Sequence, residues 1–365
     1  MSPKDVLFAL RSGKNPKFAY YASAWLSLHR PAALLRALLP HKLAALERRE
    51  DKEYILRRVD YYNRLTSDQP IDAALWGRQS VQLKDQPMTP SKVYYLDAMA
   101  YARYFPPSRR WLLLSGDINF FPRLPAVLKS RPIGSDSDES RNAVVLKLNK
   151  VRHFIFVRDR LSWSEKRDQV VFRNRITSGM GIHMSEHTRA LLQQLSTAPA
   201  SAPEAADISP RLRFMLKYFG HPLVDAGAID SNLDGHPLWN PAWRCEKMTI
   251  AQQLRYKFVM AIEGNDVASN LKWVMSSNSI AVCPKPRFET WFMEGQLKAD
   301  YHYIEVAPDF SDLPDKLRYY LAHPAAAEAI IRHAHEWVDQ FRDSRRESLI
   351  SLLVLDKYFR LTPQD

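Results

Sequence analysis

A carboxylate and two arginines lie where apolar, strand-like runs of this sequence end. Asp117 is near the end of the run at 110–118. Arg173 and Arg175 directly follow the run at 169–172. In open parallel α/β sheets, ligands bind beyond the carboxyl ends of the strands. A carboxylate there can act as a general base, and paired arginines can hold a diphosphate through forked hydrogen bonds. The alternatives are a turn or capping role for Asp117 and a solvated basic turn at the two arginines.

A candidate phosphate site follows the strand-like run at 256–262. The turn at 263–266 has the sequence Glu-Gly-Asn-Asp, and Ser269 can cap a helix predicted at 269–277. A helix N-terminus offers free backbone N–H groups to an anion, and Gly264 lets the backbone approach a ligand closely. An ordinary turn between a strand and a capped helix is the alternative.

The metal-ligating patterns in the sequence are weak. Asp136 and Asp138 form a D-x-D string, but they lie in a polar loop with no strand before it. His183 and His187 are four residues apart and can share a helix face, yet no third ligand is evident. The sequence therefore predicts no metal site.

The elements that position these residues are indicated by alternating strand-like and helix-like segments. Strands are predicted at 110–118, 143–148, 153–157, 169–172, 256–262, 279–283 and 302–306. Helices are predicted at 185–195, 269–277, 291–297, after 312, at 323–342 and at 346–360. Such alternation with short connections is typical of a parallel α/β sheet. We predict two α/β domains facing a cleft, at 1–165 and 166–345, and a terminal helix at 346–365 that packs back on the first domain.

Composition and charge narrow the class of protein. The 365 residues are 46% hydrophobic and 25% charged, which excludes a disordered chain or a collagen. The two cysteines, Cys245 and Cys283, cannot build a disulfide framework and fit a reducing compartment. The net charge of +12 indicates an anionic partner, which can be nucleic acid, a phosphorylated ligand or an acidic membrane surface.

Residues 17–49 combine basic side chains with leucine and alanine at helical spacing. Pro31 and Pro40 are expected to divide the segment into short helices. One interpretation is an interfacial membrane helix with Trp25 and the basic side chains at headgroup level. The other is a helical layer packed on the domain core, and one segment can do both. Without a signal peptide or an apolar run of about 18 residues, we expect a cytoplasmic protein, soluble or peripheral on the inner membrane.

Several motifs taken together resemble glycosyltransferase family 90. The series YKFVMAIEGNDVASNLKWVMSSNSIAV, followed by WFMEGQL, YHYIEV and FSDL, carries most of the resemblance. Upstream, KRDQVVFRNR resembles the strand and basic segment of the family, and LLLSGDINFFPRLPAVLKSRPI resembles its aspartate region. The resemblance covers about residues 110–320 and is closest to the bacterial branch.

The resemblance implies a GT-B fold of two Rossmann-like domains, here with additional N- and C-terminal helices. It also implies a nucleotide-sugar donor, usually a UDP-sugar, with inversion at the anomeric carbon and no required metal or other cofactor. The expected acceptor is a hydroxyl of lipopolysaccharide core or a related surface glycan or glycolipid, and no nucleic acid is expected. A protein O-glycosyltransferase and a non-enzymatic basic protein that binds nucleic acid or membrane are the alternatives.

The resemblance also assigns roles to individual residues. Asp117 matches the catalytic base. Asn270 stands where eukaryotic members have an arginine, and Lys272 is the candidate to supply that charge. The donor side comprises Arg173, Arg175, Gly264, Asn265, Ser269, Asn270, Lys272, Glu289 and Glu294. The acceptor side comprises Arg131, Arg152 and His153.

Overall fold

The computed structural model describes residues 12–88, 91–134, 137–176, 209–231 and 238–364. Asp136, the two histidines at 183 and 187 and the helix predicted at 185–195 lie outside these residues. In the described part of the chain, no helix has the length and apolarity that crossing a bilayer requires.

The amino-terminal part consists of helices and short strands. The helices are α1 (Lys17–Leu28), α2 (Ala32–Ala44), α3 (Lys52–Tyr62), α4 (Ala73–Gln79), α5 (Lys92–Ala102), α6 (Asp138–Arg141) and α7 (Lys150–His153). The strands are β1 (Val81–Gln82), β2 (Arg110–Trp111), β3 (Ala126–Leu128), β4 (Ser130–Pro132) and β5 (Ala143–Val145). β3 and β5 are parallel, and Leu113 forms a parallel bridge with Val127 of β3. A small parallel sheet therefore ends just before Asp117.

A five-stranded parallel sheet dominates the carboxy-terminal part. The strands of this sheet are β6 (Arg167–Ile176), β7 (Val224–Ser231), β8 (Tyr256–Met260), β9 (Ile280–Cys283) and β11 (Ile304–Glu305). The strand β10 (Phe288–Thr290) lies outside it. The helices are α8 (Pro210–Tyr218), α9 (Ile250–Gln253), α10 (Leu271–Met275), α11 (Leu313–Ala322), α12 (Pro324–Asp339) and α13 (Ser344–Leu361). The strand order is β11-β9-β8-β6-β7, and every neighbouring pair is parallel.

Alternating side chains of this sheet are buried on its two faces. Val170 and Phe172 of β6 belong to one hydrophobic cluster, whereas Val171 belongs to the other. Phe258 and Val259 of β8 divide in the same way. Because successive side chains of a strand point to opposite faces, a sheet covered on both sides needs such nearly continuous apolar strands.

The strand order reverses at β6. The chain leaves β6 for β7 on one side and returns to β8 on the other. Loops that leave adjacent strands in opposite directions open a crevice at the carboxyl ends of those strands, which is where open α/β sheets bind ligands. The carboxyl ends of β6 and β8 are therefore expected to border a ligand-binding crevice.

Two buried ion pairs join the amino-terminal part of the chain to the carboxy-terminal part. β10 pairs antiparallel with β4, and there Arg131 Nε donates to Glu289 Oε1 at 2.7 Å. Arg58 of α3 contacts Glu347 of α13 at 2.5 Å. Tyr358 of α13 also donates its hydroxyl to the Pro125 carbonyl at 2.9 Å. The terminal helix thus packs on amino-terminal elements, while the exact domain boundaries stay predictions.

The predicted α/β class is confirmed, and so is the parallel order of β8, β9 and β11. The division into two Rossmann-like domains of GT-B type stays a prediction. The predicted helix at 291–297 is wrong, because only a single 3₁₀ turn forms there, at Glu294–Gln296.

The predicted strand at 153–157 is also wrong. The Asn15 side chain donates to the Phe154 carbonyl at 3.1 Å, and Val157 N–H donates to Ser276 Oγ at 2.9 Å. Side chains rather than a neighbouring strand therefore satisfy this backbone, which runs on from the short helix α7.

Candidate active site

A cavity of about 450 Å³ lies where the carboxyl end of β6 and the turn after β8 face the amino-terminal part. The predicted site residues that line it are Asp117, Arg152, Arg175, Gly264, Asn265 and Ser269. They come from four separate stretches of the sequence. The structure therefore brings together the carboxylate, two arginines and the glycine turn that the sequence analysis had singled out separately.

Asp117 reaches the cavity from the end of the small parallel sheet. Leu114 N–H donates to the Val127 carbonyl at 2.9 Å, which keeps the chain paired with β3 until three residues before Asp117. Gly116 then adopts φ +122°, a backbone conformation that side chains with a Cβ rarely tolerate. This turn directs Asp117 into the cavity, where its side chain stays partly exposed.

A buried lysine holds Asp117 in place. Lys129 Nζ lies 2.6 Å from Asp117 Oδ1 and 2.5 Å from Asp266 Oδ2. Asp266 also accepts a hydrogen bond of 2.7 Å from Ser130 Oγ. Lys129 and Ser130 come from the amino-terminal part and Asp266 from the loop after β8, so this cluster fixes the two walls of the cavity against each other.

The pKa values of the two carboxylates in the cluster are shifted in opposite directions. Burial disfavours the charge on Asp117, but attraction and hydrogen bonding by Lys129, together with attraction by Arg152, outweigh it and lower the pKa of Asp117. Burial and the nearby charge of Asp117 raise the pKa of Asp266. Asp117 is therefore ionised at neutral pH and able to accept a proton.

Three arginines also line the cavity: Arg152, Arg175 and Arg211. The backbone N–H of Arg152 donates to the Asn149 carbonyl at 3.1 Å, while its guanidinium forms no hydrogen bond or ion pair with any residue that the structure describes. Arg175 contacts Asp230 at 3.3 Å, and both side chains are largely exposed. Arg211 donates only to backbone carbonyls among the described residues, including that of Ile262 at 3.1 Å. The cavity therefore presents cationic groups that an anionic ligand can engage.

Gly264 and Arg211 are in close contact. A Cβ added to Gly264 would lie 2.9 Å from the nearer guanidinium nitrogen of Arg211. The glycine therefore makes room for this guanidinium. Burial, with repulsion from Arg152, lowers the pKa of Arg211 to about 10, so the group remains a cation at neutral pH.

Glu263, the first residue of the same turn, is hydrogen-bonded to the backbone near β10. Its Oε1 accepts from the backbone N–H groups of Arg287 and Phe288 at 3.0 and 3.2 Å. Burial outweighs these hydrogen bonds and raises the pKa of Glu263 to about 6. The turn after β8 is thus fixed to the start of β10.

The helix after this turn differs from the prediction. It spans Leu271–Met275 rather than 269–277, and Asn270, not Ser269, is its N-cap. The Asn270 side chain makes no capping hydrogen bond, and its Nδ2 donates to the Met260 carbonyl at 2.8 Å. Ser269 therefore lines the cavity without capping the helix.

Arg173 and Arg175 lie within β6, whereas the sequence predicted that they follow a strand that ends at 172. β6 continues to Ile176 because its register with β7 extends from Val170↔Val224 to Ile176↔Ser231. Arg173 faces away from the cavity lining and pairs with Asp225 at 2.5 Å. Arg175, nearer the end of the strand, lines the cavity.

The remaining predicted residues are buried away from the cavity lining. Lys272, the candidate for the missing arginine charge, pairs with Glu294 at 2.5 Å, and both are buried. Arg131 and Glu289 pair with each other where β4 meets β10. His153 is buried, and burial together with nearby cations lowers its pKa well below the ordinary value, so it is neutral.

Three residues at the cavity were not predicted as site residues from the sequence: Lys129, Asp266 and Arg211. Arg211 had a usable signal, because Ser209-Pro210 marks a helix start and a cation in a first helical turn opposes the helix dipole unless an anion is near. Lys129 had none, since a lysine between two apolar runs predicts an exposed side chain.

Comparison with known proteins gives two relatives and a family match. The family model described as glycosyl transferase family 90 matches residues 223–361. The O-glucosyltransferase LpsA of Dichelobacter nodosus is 36% identical over 347 residues, which is 94% of each chain. The uncharacterized protein 035R of Invertebrate iridescent virus 3 is 26% identical over 196 residues, covering 53% of this chain and 16% of the viral protein.

These findings define the protein as a sugar-transferring enzyme, a glycosyltransferase. The chain belongs to glycosyltransferase family 90, as the motifs around the turn at 263–266 had indicated.

Replacing the buried ammonium tests the carboxylate cluster. In Lys129→Met, Asp117 and Asp266 face each other without a cation, so the pKa of the pair rises and ionising both carboxylates costs free energy. The loss of stability relative to wild type should be about 3–5 kcal/mol near neutral pH and should shrink as the pH falls and a carboxylate is protonated. Urea unfolding at several pH values measures this difference.

The matched control is Lys84→Met, which removes an exposed lysine. Its stability should follow that of the wild type at every pH. If Lys129→Met showed the wild-type dependence on pH, the ammonium would not be what holds the two carboxylates.

Proposed function

We propose that this enzyme transfers a sugar, with inversion, from a nucleotide-sugar donor to a hydroxyl of lipopolysaccharide core or a related surface glycan. The observation that carries the proposal is the cavity in which an ionised carboxylate faces three arginines. The carboxylate suits the deprotonation of a hydroxyl, and the arginines suit a diphosphate. The O-glucosyltransferase name of the similar protein from Dichelobacter nodosus supports a hexose as the transferred sugar.

In the proposed step, the acceptor oxygen attacks the anomeric carbon as Asp117 takes the hydroxyl proton. The bond between the acceptor oxygen and the anomeric carbon forms while the bond from that carbon to the diphosphate oxygen breaks. The diphosphate leaves with the electron pair, and one proton stays on Asp117. A single displacement from the face opposite the leaving group inverts the anomeric configuration.

The arginines are proposed to offset the charge of the leaving diphosphate. Arg211 lies against Gly264 and donates to the Arg175 carbonyl, and the charge of Arg152 acts on both Arg211 and Asp117. Fixed cations in a partly buried site stabilise developing negative charge without reorganisation. We therefore propose a metal-independent reaction with a UDP-sugar as the donor.

The topology supports a GT-B arrangement. A parallel sheet with a reversal at β6 carries the donor side, and a smaller parallel sheet carries Asp117.

The free thiols of Cys245 and Cys283 fit a reducing compartment, so we place the reaction in the cytoplasm.

Asp117→Asn tests the base. The amide keeps the shape of the side chain but cannot accept the proton, so turnover should fall by roughly 10²–10⁴. UDP affinity should not fall, because the substitution removes a negative charge near the diphosphate site and no cation. Transfer assays and calorimetry measure the two effects, and Asp315→Asn, a change at an exposed carboxylate outside the cavity lining, is the control. Wild-type turnover in Asp117→Asn would leave the mechanism without its base.

Arg211→Ala tests the diphosphate site. A charged hydrogen bond is worth about 1.5–3 kcal/mol, so UDP should bind roughly 10- to 100-fold more weakly. Arg173→Ala is the comparison, since Arg173 is committed to Asp225, and its effect on UDP affinity should be smaller. A larger loss in Arg173→Ala than in Arg211→Ala would move the diphosphate to the Arg173 side of β6.

Chelation tests the metal-independent mechanism. Because the arginines supply the positive charge, transfer from a UDP-sugar should persist in excess EDTA. Turnover before and after dialysis against the chelator measures this. Loss of activity that manganese restores would assign a metal to the reaction, with the D-x-D string at 136–138 as the first place to search.

A further inference from the structure

Helices α1 and α2 expose large apolar side chains to solvent. The exposed fractions are 88% for Phe18, 58% for Trp25, 60% for Leu26 and 55% for Leu34. No residue of α1 is fully buried, and Leu35 is the buried residue of α2. Phe18 and Trp25 are seven residues apart, so they lie on one face of α1, two helical turns apart.

The charge around these side chains has one sign. Between Asp5 and Glu47 the sequence contains no aspartate or glutamate. Lys17, Arg30 and Lys42 are exposed on or beside the two helices. An apolar surface on helices whose own charged residues are all cations is complementary to an anionic lipid surface, which offers both negative headgroups and acyl chains. Nucleic acid would use the cations but not the apolar side chains.

The inner side of α1 and its flanks is fixed to the protein. Tyr20 donates its hydroxyl to the Val93 carbonyl at 3.3 Å, and Arg103 donates to the Ser27 carbonyl at 2.9 Å. Val93 lies in α5, and the next residue, Tyr94, lines the candidate active site. A surface that binds α1 is therefore only one helix away from the cavity.

We propose that α1 and α2 form a membrane-docking surface that lies in the headgroup plane of an anionic bilayer. α1 has 12 residues, whereas about 20 are needed to span a bilayer, so the binding is in plane. Docking through this surface holds the cavity beside the bilayer, where a lipid-linked acceptor presents its hydroxyl groups. The inference goes beyond the proposed reaction, because it depends on the surface of α1 and α2 and not on the chemistry in the cavity.

Vesicle co-sedimentation of the full chain tests the proposal. The wild type should bind vesicles of phosphatidylcholine mixed with phosphatidylglycerol more tightly than vesicles of phosphatidylcholine alone, and added salt should weaken this binding. The double variant Phe18→Ser/Trp25→Ser should bind the anionic vesicles at least about tenfold more weakly, since each buried aromatic side chain contributes strongly to partition. Lys17→Glu/Arg30→Glu should reduce the preference for anionic lipid.

The matched control is Leu216→Ser/Tyr319→Ser, which removes two exposed large side chains from the carboxy-terminal part. Its vesicle binding should equal that of the wild type. UDP affinity, measured on every variant, separates this inference from the proposed reaction, because the docking variants should keep it. Equal vesicle binding by the docking and control variants would overturn the proposal. So would a wild-type dimer that Phe18→Ser/Trp25→Ser abolishes, since a second copy would then cover the surface.

Discussion

The candidate active site depends on one buried ammonium group. Lys129 contacts Asp117 at the end of the small amino-terminal sheet and Asp266 in the loop after β8. Moving either loop away would leave a buried charge without its partner, which costs several kcal/mol. The two walls of the cavity are therefore held at a fixed distance. Asp117 can face the arginines because Lys129 neutralises the repulsion between the two carboxylates.

The charges around the cavity also link donor binding to the basicity of Asp117. Arg152 contributes to lowering the pKa of Asp117 while the cavity holds no anion. A diphosphate beside Arg152, Arg175 and Arg211 would offset part of that positive potential. We therefore expect the carboxylate to become a stronger base when the donor is bound, so that proton acceptance is favoured only when the leaving group is in place.

The sequence predicted the carboxy-terminal sheet better than the amino-terminal part. Strands such as β8 and β9 are apolar on both faces and are separated by a short helix, so their period and length identify them. The backbone at 153–157 looked equally strand-like, but side chains from distant residues satisfy it. Within the site, Asp117, Arg175 and Gly264 were predicted from their positions near the ends of strands. Lys129 was not predictable, because its burial depends on two carboxylates that the sequence does not show to be neighbours.

The most direct test of the account is a crystal structure of the protein with UDP bound. We expect the diphosphate beside Arg211 and Arg175 at the turn 263–266, and Asp117 in the same cavity and still in contact with Lys129. UDP bound beside Arg173, or on any surface remote from Asp117, would contradict it.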